Sequence, residues 1–307
     1  MLILIALGGN ALLKRGEPIT SAAQWTNIRN AARAIANVAG EHQLVITHGN
    51  GPQAGLLALQ AGAYKKAEPY TLDIIGAATA GMIGYMIEQE LGNVLGYEVP
   101  IATMLTRVCV DADDPAFRNP TKFVGPVYDA QGAQKLEREK GWVFKKDNEN
   151  WRRVVPSPEP QSIVWHRPIR WLVGQKALLI CAGGGGIPVI RHADNGRLEG
   201  VEAIIDKDRT SSLLAQELSA DLFIIATDVD GVYEGFGTPE QNLIKQTTPN
   251  KLEAGSYSSG SMGPKVDAAS WFVRETGKRA VIGALDEIET IIGGQSGTSI
   301  EADVETV

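Results

Sequence analysis

Cysteine is almost missing from this 307-residue chain, and the two present, Cys109 and Cys181, lie in separate apolar runs without metal-ligand spacing. Buried, reduced thiols are expected, and no metal site is read from them. Long hydrophobic runs are also lacking. The stretch from Met82 to Ile87 is broken by Gly84 and closed by Glu88 and Glu90, well short of the ~20 residues of a membrane span. Met1 leads directly into an apolar segment with no basic stretch before it, which predicts no secretory leader and a cytoplasmic protein. An excess of positive charge is missing too: the formal net charge is -7, which argues against general nucleic-acid or acidic-membrane binding. No Gly-x-x-x-x-Gly-Lys-Ser/Thr occurs, and Gly8-Gly9-Asn10-Ala11-Leu12-Leu13 lacks the third glycine of a dinucleotide turn. A P-loop enzyme and a dehydrogenase are thereby excluded.

Three apolar runs do end in glycine. Leu2 to Leu7 runs into Gly8-Gly9-Asn10, Leu44 to Thr47 into His48-Gly49-Asn50-Gly51-Pro52, and Ala177 to Ala182 into Gly183 to Gly186. Six apolar residues in a row read as a strand buried on both faces of a parallel sheet. Turns at the carboxyl ends of such strands gather ligands, because helix N-termini and free amides there favour negative charge. Pro52 stands where a helix can begin. Three such turns predict a phosphate or carboxylate site.

Between these turns the chain alternates. Ser21 and Gln24 suggest a capping box for a helix reaching Gly40. Helices are expected at 53–63, 71–91, 210–218, 264–276 and 286–292, and strands at 101–110, 177–182, 201–205, 222–226, 280–283 and 298–300, with a hairpin around Asp194-Asn195-Gly196. Alternating β and α predicts an open, doubly wound, mostly parallel sheet. From Asp111 to Pro160 the composition turns rich in charge, proline and aromatics, with a hairpin expected from Trp142–Lys145 and Trp151–Val155; so long an excursion reads as a mobile lid.

Charge for chemistry comes from scattered lysines. Asp206-Lys207-Asp208 ends an apolar strand, and Gly260-Ser261-Met262-Gly263-Pro264-Lys265 delivers Lys265 to the first turn of a helix, where the dipole disfavours a cation unless an anion is near. Lys122 on the lid offers a third positive charge. Phosphoryl transfer needs positioning and charge neutralisation above all, which lysines from separate segments supply while Asp208 holds two ammonium groups in register. Thr227-Asp228 and Tyr233 end another strand, offering a carboxylate and an aromatic ring to a nucleotide.

These segments, together with Asp113-Asp114-Pro115, Asn119-Pro120-Thr121-Lys122 and Arg152-Arg153-Val154-Val155-Pro156-Ser157-Pro158, run nearly end to end, and in combination the chain resembles the carbamate kinases of the amino-acid-kinase superfamily. The resemblance implies an α/β three-layer sandwich with a protruding lid (about 111–160), a carbamate-binding lobe at about 1–205 and a nucleotide-binding lobe at about 206–307. It implies a homodimer and the reversible reaction of ATP with carbamate to give ADP and carbamoyl phosphate, making ATP in arginine breakdown. By that similarity Lys122, Lys207 and Lys265 neutralise phosphates and Asp208 orients lysines. Gly8, Gly9, Asn10, Gly49, Asn50 and Gly51 hold carbamate and the transferred phosphoryl. Thr227, Asp228, Tyr233 and Met262 join Lys207 and Lys265 near ATP or ADP, and magnesium rides mainly on the phosphates. The chain departs from the pattern at Thr79-Ala80-Gly81-Met82, where Ser-Gln-Gly-Met is expected, at Arg209, where an apolar residue is usual, and across Ile163 to Trp171, which is unusually aromatic and basic. The competing readings are another carboxylate kinase and a nucleotide-binding regulator without activity.

Overall fold

The computed structural model describes residues 1–12, 17, 18, 20–64, 69–255, 257 and 262–303, with the backbone alone for Asn10 and Ala11. Its centre is an eight-stranded sheet in the order Gln246–Thr247, Thr298–Ile300, Ala280–Ala284, Leu222–Thr227, Leu2–Leu7, Gln43–His48, Leu178–Cys181, Ile101–Met104. Every neighbouring pair is parallel except Ala280–Ala284 against Thr298–Ile300. Alternate residues of the central strands enter two separate cores. Ile3, Ile5, Leu7, Leu44 and Ile46 meet helices Ser21–Ala39, Leu72–Leu95 and Ile288–Ile292. Leu4, Ala6 and Val45 meet His166–Gly174, Lys207–Glu217 and Met262–Thr276. The result is the expected three-layer, doubly wound sandwich, with apolar runs explained by burial on both faces.

Three local expectations need correction. The cap of helix Ser21–Ala39 is Thr20, whose Oγ1 accepts from Ala23 N at 3.3 Å; Ser and Thr cap alike, and the sequence does not choose between neighbours. The strand expected at 101–110 is two strands in two sheets, Ile101–Met104 in the large one and Arg107–Val110 in a four-stranded sheet with Leu198–Gly200, Ile187–Arg191 and Pro160–Ile163. Residues 201–205 form no strand: Ala203, Ile204 and Ile205 are buried, but beyond a single bond from Val201 N to the Pro188 carbonyl at 3.2 Å there is no ladder, and Ile204 N bonds the Pro156 carbonyl at 3.0 Å.

The insertion forms an antiparallel sheet of Lys122–Tyr128, Asn150–Val155 and Val143–Asp147 with helix Ala130–Lys140, and so contains the predicted hairpin and more. It sits on helix Gly51–Tyr64, where Ala54, Val124, Val155 and Ile204 share a small core. At the seat the two backbones touch: a Cβ at Gly55 would lie 2.3 Å from Gly125 Cα, and Gly125 itself has φ +70°.

Candidate active site

Strands Leu2–Leu7, Gln43–His48 and Leu222–Thr227 are neighbours in register, so their carboxyl ends lie side by side. The ladder continues one residue further than the sequence suggests. Gly8 N donates to Ala226 O at 2.8 Å and Gly49 N to Leu7 O at 3.2 Å. Those two amides are therefore held by the sheet and are not the bare donors expected of the turns. The amides on offer come next, in the first turns of Gly9–Leu12 and Gly51–Tyr64, where the helix leaves its leading N–H groups without internal partners and Pro52 has none. A Cβ at Gly9 or Gly51 would meet nothing within 4 Å, whereas one at Gly49 would touch the Lys207 stem at 3.4 Å and Gly9 N at 3.6 Å. Gly9, Gly49 and Lys207 thus border one space.

The third glycine turn serves as a wall. Gly183 to Gly186 are buried, and a Cβ at Gly183 would lie 2.4 Å from His48 Nε2. His48 is fully enclosed, with Nδ1 3.0 Å from the Gly49 carbonyl oxygen. Burial lowers its pKa from 6.5 to about 4, the Gly49 bond opposing and the Lys207 charge assisting. The imidazole is neutral at pH 7 and, bonded this way, donates from Nδ1. Below pH ~6.5 the unfolded chain takes up a proton that the folded one refuses until near pH 4, so His48 contributes stability above pH ~6.5 that is lost as pH falls, about 3 kcal/mol in full. Urea unfolding across that range should show a steeper loss in the wild type than in His48→Asn; equal slopes would contradict it.

Asp206 caps helix Lys207–Glu217 through Oδ1, which accepts from Asp208 N at 2.9 Å and Arg209 N at 3.4 Å. The cap fixes the two residues that follow. Asp208 lies between two lysines: Oδ1 accepts from Lys207 Nζ and Oδ2 from Lys265 Nζ at 3.0 Å. The three side chains are 4%, 11% and 14% exposed for Asp208, Lys207 and Lys265. Burial alone would raise the Asp208 pKa, but the two ammonium groups hold it far below the usual carboxylate range. For Lys207 burial, assisted by the Lys265 charge, outweighs the attraction of Asp208 and lowers the pKa; for Lys265 burial is the largest single effect, but Asp208, Asp206 and Asp228 together outweigh it and raise the pKa. The anion that Lys265 requires beside a helix N-terminus is supplied within the chain. Lys122 arrives from the inserted sheet and pairs with Asp206 Oδ2, and that pairing lowers the pKa of Asp206 against the opposing effect of burial. Asp206 carries no role in the reading of the sequence; its signal is the position of an acid immediately before a helix.

The nucleotide-side candidates are more dispersed. Thr227 Oγ1 donates to Asp228 Oδ1 at 3.1 Å, and the Asp228 charge favours the Lys265 ammonium. Tyr233 stands apart on the hairpin Val232–Glu234 and Asn242–Ile244, its hydroxyl donating to Asp230 Oδ1 at 2.6 Å. Met262 opens helix Met262–Thr276, three residues before Lys265. Gly260, Ser261 and the Asn10 side chain lie outside the described residues. A cavity of about 690 Å³ runs along the same helix, lined by Arg209, Tyr257, Pro264, Trp271 and Arg274 and by none of the three clustered side chains. The candidate site is marked instead by the approach of the Lys207 stem to the turns at Gly9 and Gly49.

Known proteins match the chain nearly from end to end. Residues 1–284 match the model of the amino acid kinase family. A carbamate kinase of Rhizobium meliloti is 58% identical over 100% of this chain and 95% of its own length, and one of Haemophilus influenzae is 53% identical over 100% and 99%. The solved structure of carbamate kinase from Giardia lamblia bound to AMP-PNP superposes with a TM-score of 0.90 at 37% identity, covering 98% of each chain. With a lysine–aspartate–lysine cluster beside the turns at Gly9 and Gly49, and with relatives matched over the full length, the chain belongs to the amino acid kinase family, among its carbamate kinases.

Proposed function

We propose that this enzyme transfers a phosphoryl group reversibly between ATP and carbamate, giving ADP and carbamoyl phosphate. The observation that carries the reading is the Lys207–Asp208–Lys265 cluster at the edge of the space bordered by Gly9 and Gly49. Carbamate and the transferring phosphoryl lie against the first turns at Gly9 and Gly51. Lys207 and Lys265 offset charge on the equatorial phosphoryl oxygens, and Asp208 keeps both ammonium groups aimed without titrating. Thr227, Asp228, Tyr233 and Met262 accommodate the nucleoside. Both oxygens of Asp208 and both of Asp206 are engaged by lysines or helix amides, so magnesium accompanying the nucleotide is carried mainly by its phosphates. The lobes divide near residue 205. ATP formation from ADP and carbamoyl phosphate by the purified protein tests the reaction, with acetylglutamate and aspartate as controls; turnover of those acids but not of carbamate would replace this reading with another carboxylate kinase.

A cytoplasmic homodimer making ATP in arginine breakdown fits this chemistry. Among the described residues no helix is long and apolar enough to cross a membrane. Ile74, Met82 and Tyr85 leave helix Leu72–Leu95 on one side, 48%, 37% and 58% exposed, an apolar strip suited to a second copy.

The segment 111–160 acts as a lid that brings Lys122 to the phosphates and excludes water. Limited proteolysis within it should slow when ADP and carbamoyl phosphate are added together. Unchanged cleavage at saturating ligand would argue against closure.

A further inference from the structure

Asn50 is 5% exposed, and among the described residues one end of its amide has a partner while the other has none. Nδ2 donates to Thr79 Oγ1 at 2.8 Å, and among the described residues nothing donates to Oδ1. Thr79 is wholly buried on helix Leu72–Leu95. Its own hydroxyl lies 2.8 Å from the Ile75 carbonyl oxygen and 3.0 Å from that of Gly76. A hydroxyl has a single proton. Given to the helix carbonyls, it leaves Thr79 Oγ1 as an acceptor, which takes the NH₂ end of Asn50 and turns Oδ1 the other way. Gly184 closes the remaining side: a Cβ there would lie 2.2 Å from Nδ2 and 2.4 Å from Cγ, so the amide rests flat on a bare glycine with φ +69°. The next residue, Gly51, opens the helix whose first turn borders the reacting groups.

We infer that Thr79 is a positioning residue that fixes Asn50 with Oδ1 toward the substrate, where it accepts a hydrogen bond from the amino group of carbamate and sets the preference for carbamoyl over acyl phosphates. The inference rests on the reaction proposed above. Carbamate and acetate match in size and charge and differ in NH₂ against CH₃. A fixed acceptor is satisfied by the first and left unpaired by the second, which is the arrangement that gives strong discrimination. With the amide reversed, a donor would face the substrate and the distinction would vanish.

The test compares the KM for carbamoyl phosphate with the Ki of acetyl phosphate as its competitor, in the wild type, Thr79→Val and Thr79→Ser. Thr79→Val should reduce the ratio of Ki to KM by about tenfold or more, through a higher KM for carbamoyl phosphate, while the KM for ADP stays put. Thr79→Ser, which keeps the hydroxyl, should retain the wild-type ratio. An unchanged ratio in a folded Thr79→Val protein overturns the inference, as does an equal loss for both ligands, which is what a merely structural role produces. Should Thr79→Val not fold, Thr79→Ala is read in the same way. Wild-type protein that forms no ATP from carbamoyl phosphate would instead strike the proposed reaction.

Discussion

Replacing Lys207 or Lys265 by alanine should lower turnover by roughly 10² to 10⁴, the scale for removing one electrostatic stabiliser from a preorganised site. Both ammonium groups are nearly buried and pinned to one carboxylate, so neither reorganises as charge develops on the transferring group. The loss belongs in kcat at saturating substrate; near wild-type turnover in either variant would remove that lysine from the transition state. Stability separates the lysines from their anchor. Each single variant leaves Asp208 one lysine, whereas Asp208→Ala leaves two buried ammonium groups facing each other, and uncompensated buried charge is strongly destabilising. Melting temperatures should fall little for the lysine variants and further for Asp208→Ala. The reverse order would mean that the triad is not held together by Asp208.

Gly9→Val and Gly51→Val should abolish phosphoryl transfer while leaving ADP affinity within about tenfold, or ~1.4 kcal/mol. Neither glycine has a positive φ, and a Cβ at either enters open space. A valine is therefore compatible with the backbone at these positions, and lost activity reads as obstruction rather than misfolding, with the melting transition as control. The contrast is Gly8, where a Cβ would lie 2.9 Å from Ala226 O and the sheet itself would have to give. Loss of ADP affinity by several hundredfold in a folded Gly51→Val protein would move that turn to the nucleotide side.

The sheet was legible because its central strands are apolar on both faces: Leu2–Leu7 and Leu222–Thr227 leave few other readings. The break at Leu105-Thr106 was not. No glycine or proline marks it, and it is stabilised by distant partners, with Ala182 N donating to Thr106 Oγ1 at 2.9 Å. Likewise Ala203 to Ile205 carry the apolarity of a strand, but burial does not specify a hydrogen-bonded neighbour. In the site, Lys207, Asp208 and Lys265 stood out as charges at the ends of apolar or glycine-rich segments. The engaged amides of Gly8 and Gly49 were hidden because strand pairing sets where a ladder stops. The orientation of Asn50 depends on a hydroxyl on another helix, and nothing local to Gly49-Asn50-Gly51 encodes it.

The contact between Gly55 and Gly125 has a mechanical reading. Gly55 lies four residues, or about 6 Å of helix rise, beyond the Gly51 start of its helix. With backbone against backbone there is no compressible side chain between the two parts, so the contact would act as an end stop to any movement of the inserted sheet toward the helix. The clearance is set to within the width of a methyl group. Gly55→Ala would act as a shim, tilting the arm that carries Lys122 and widening its gap to Asp206, even though the substituted atom touches none of the charged groups.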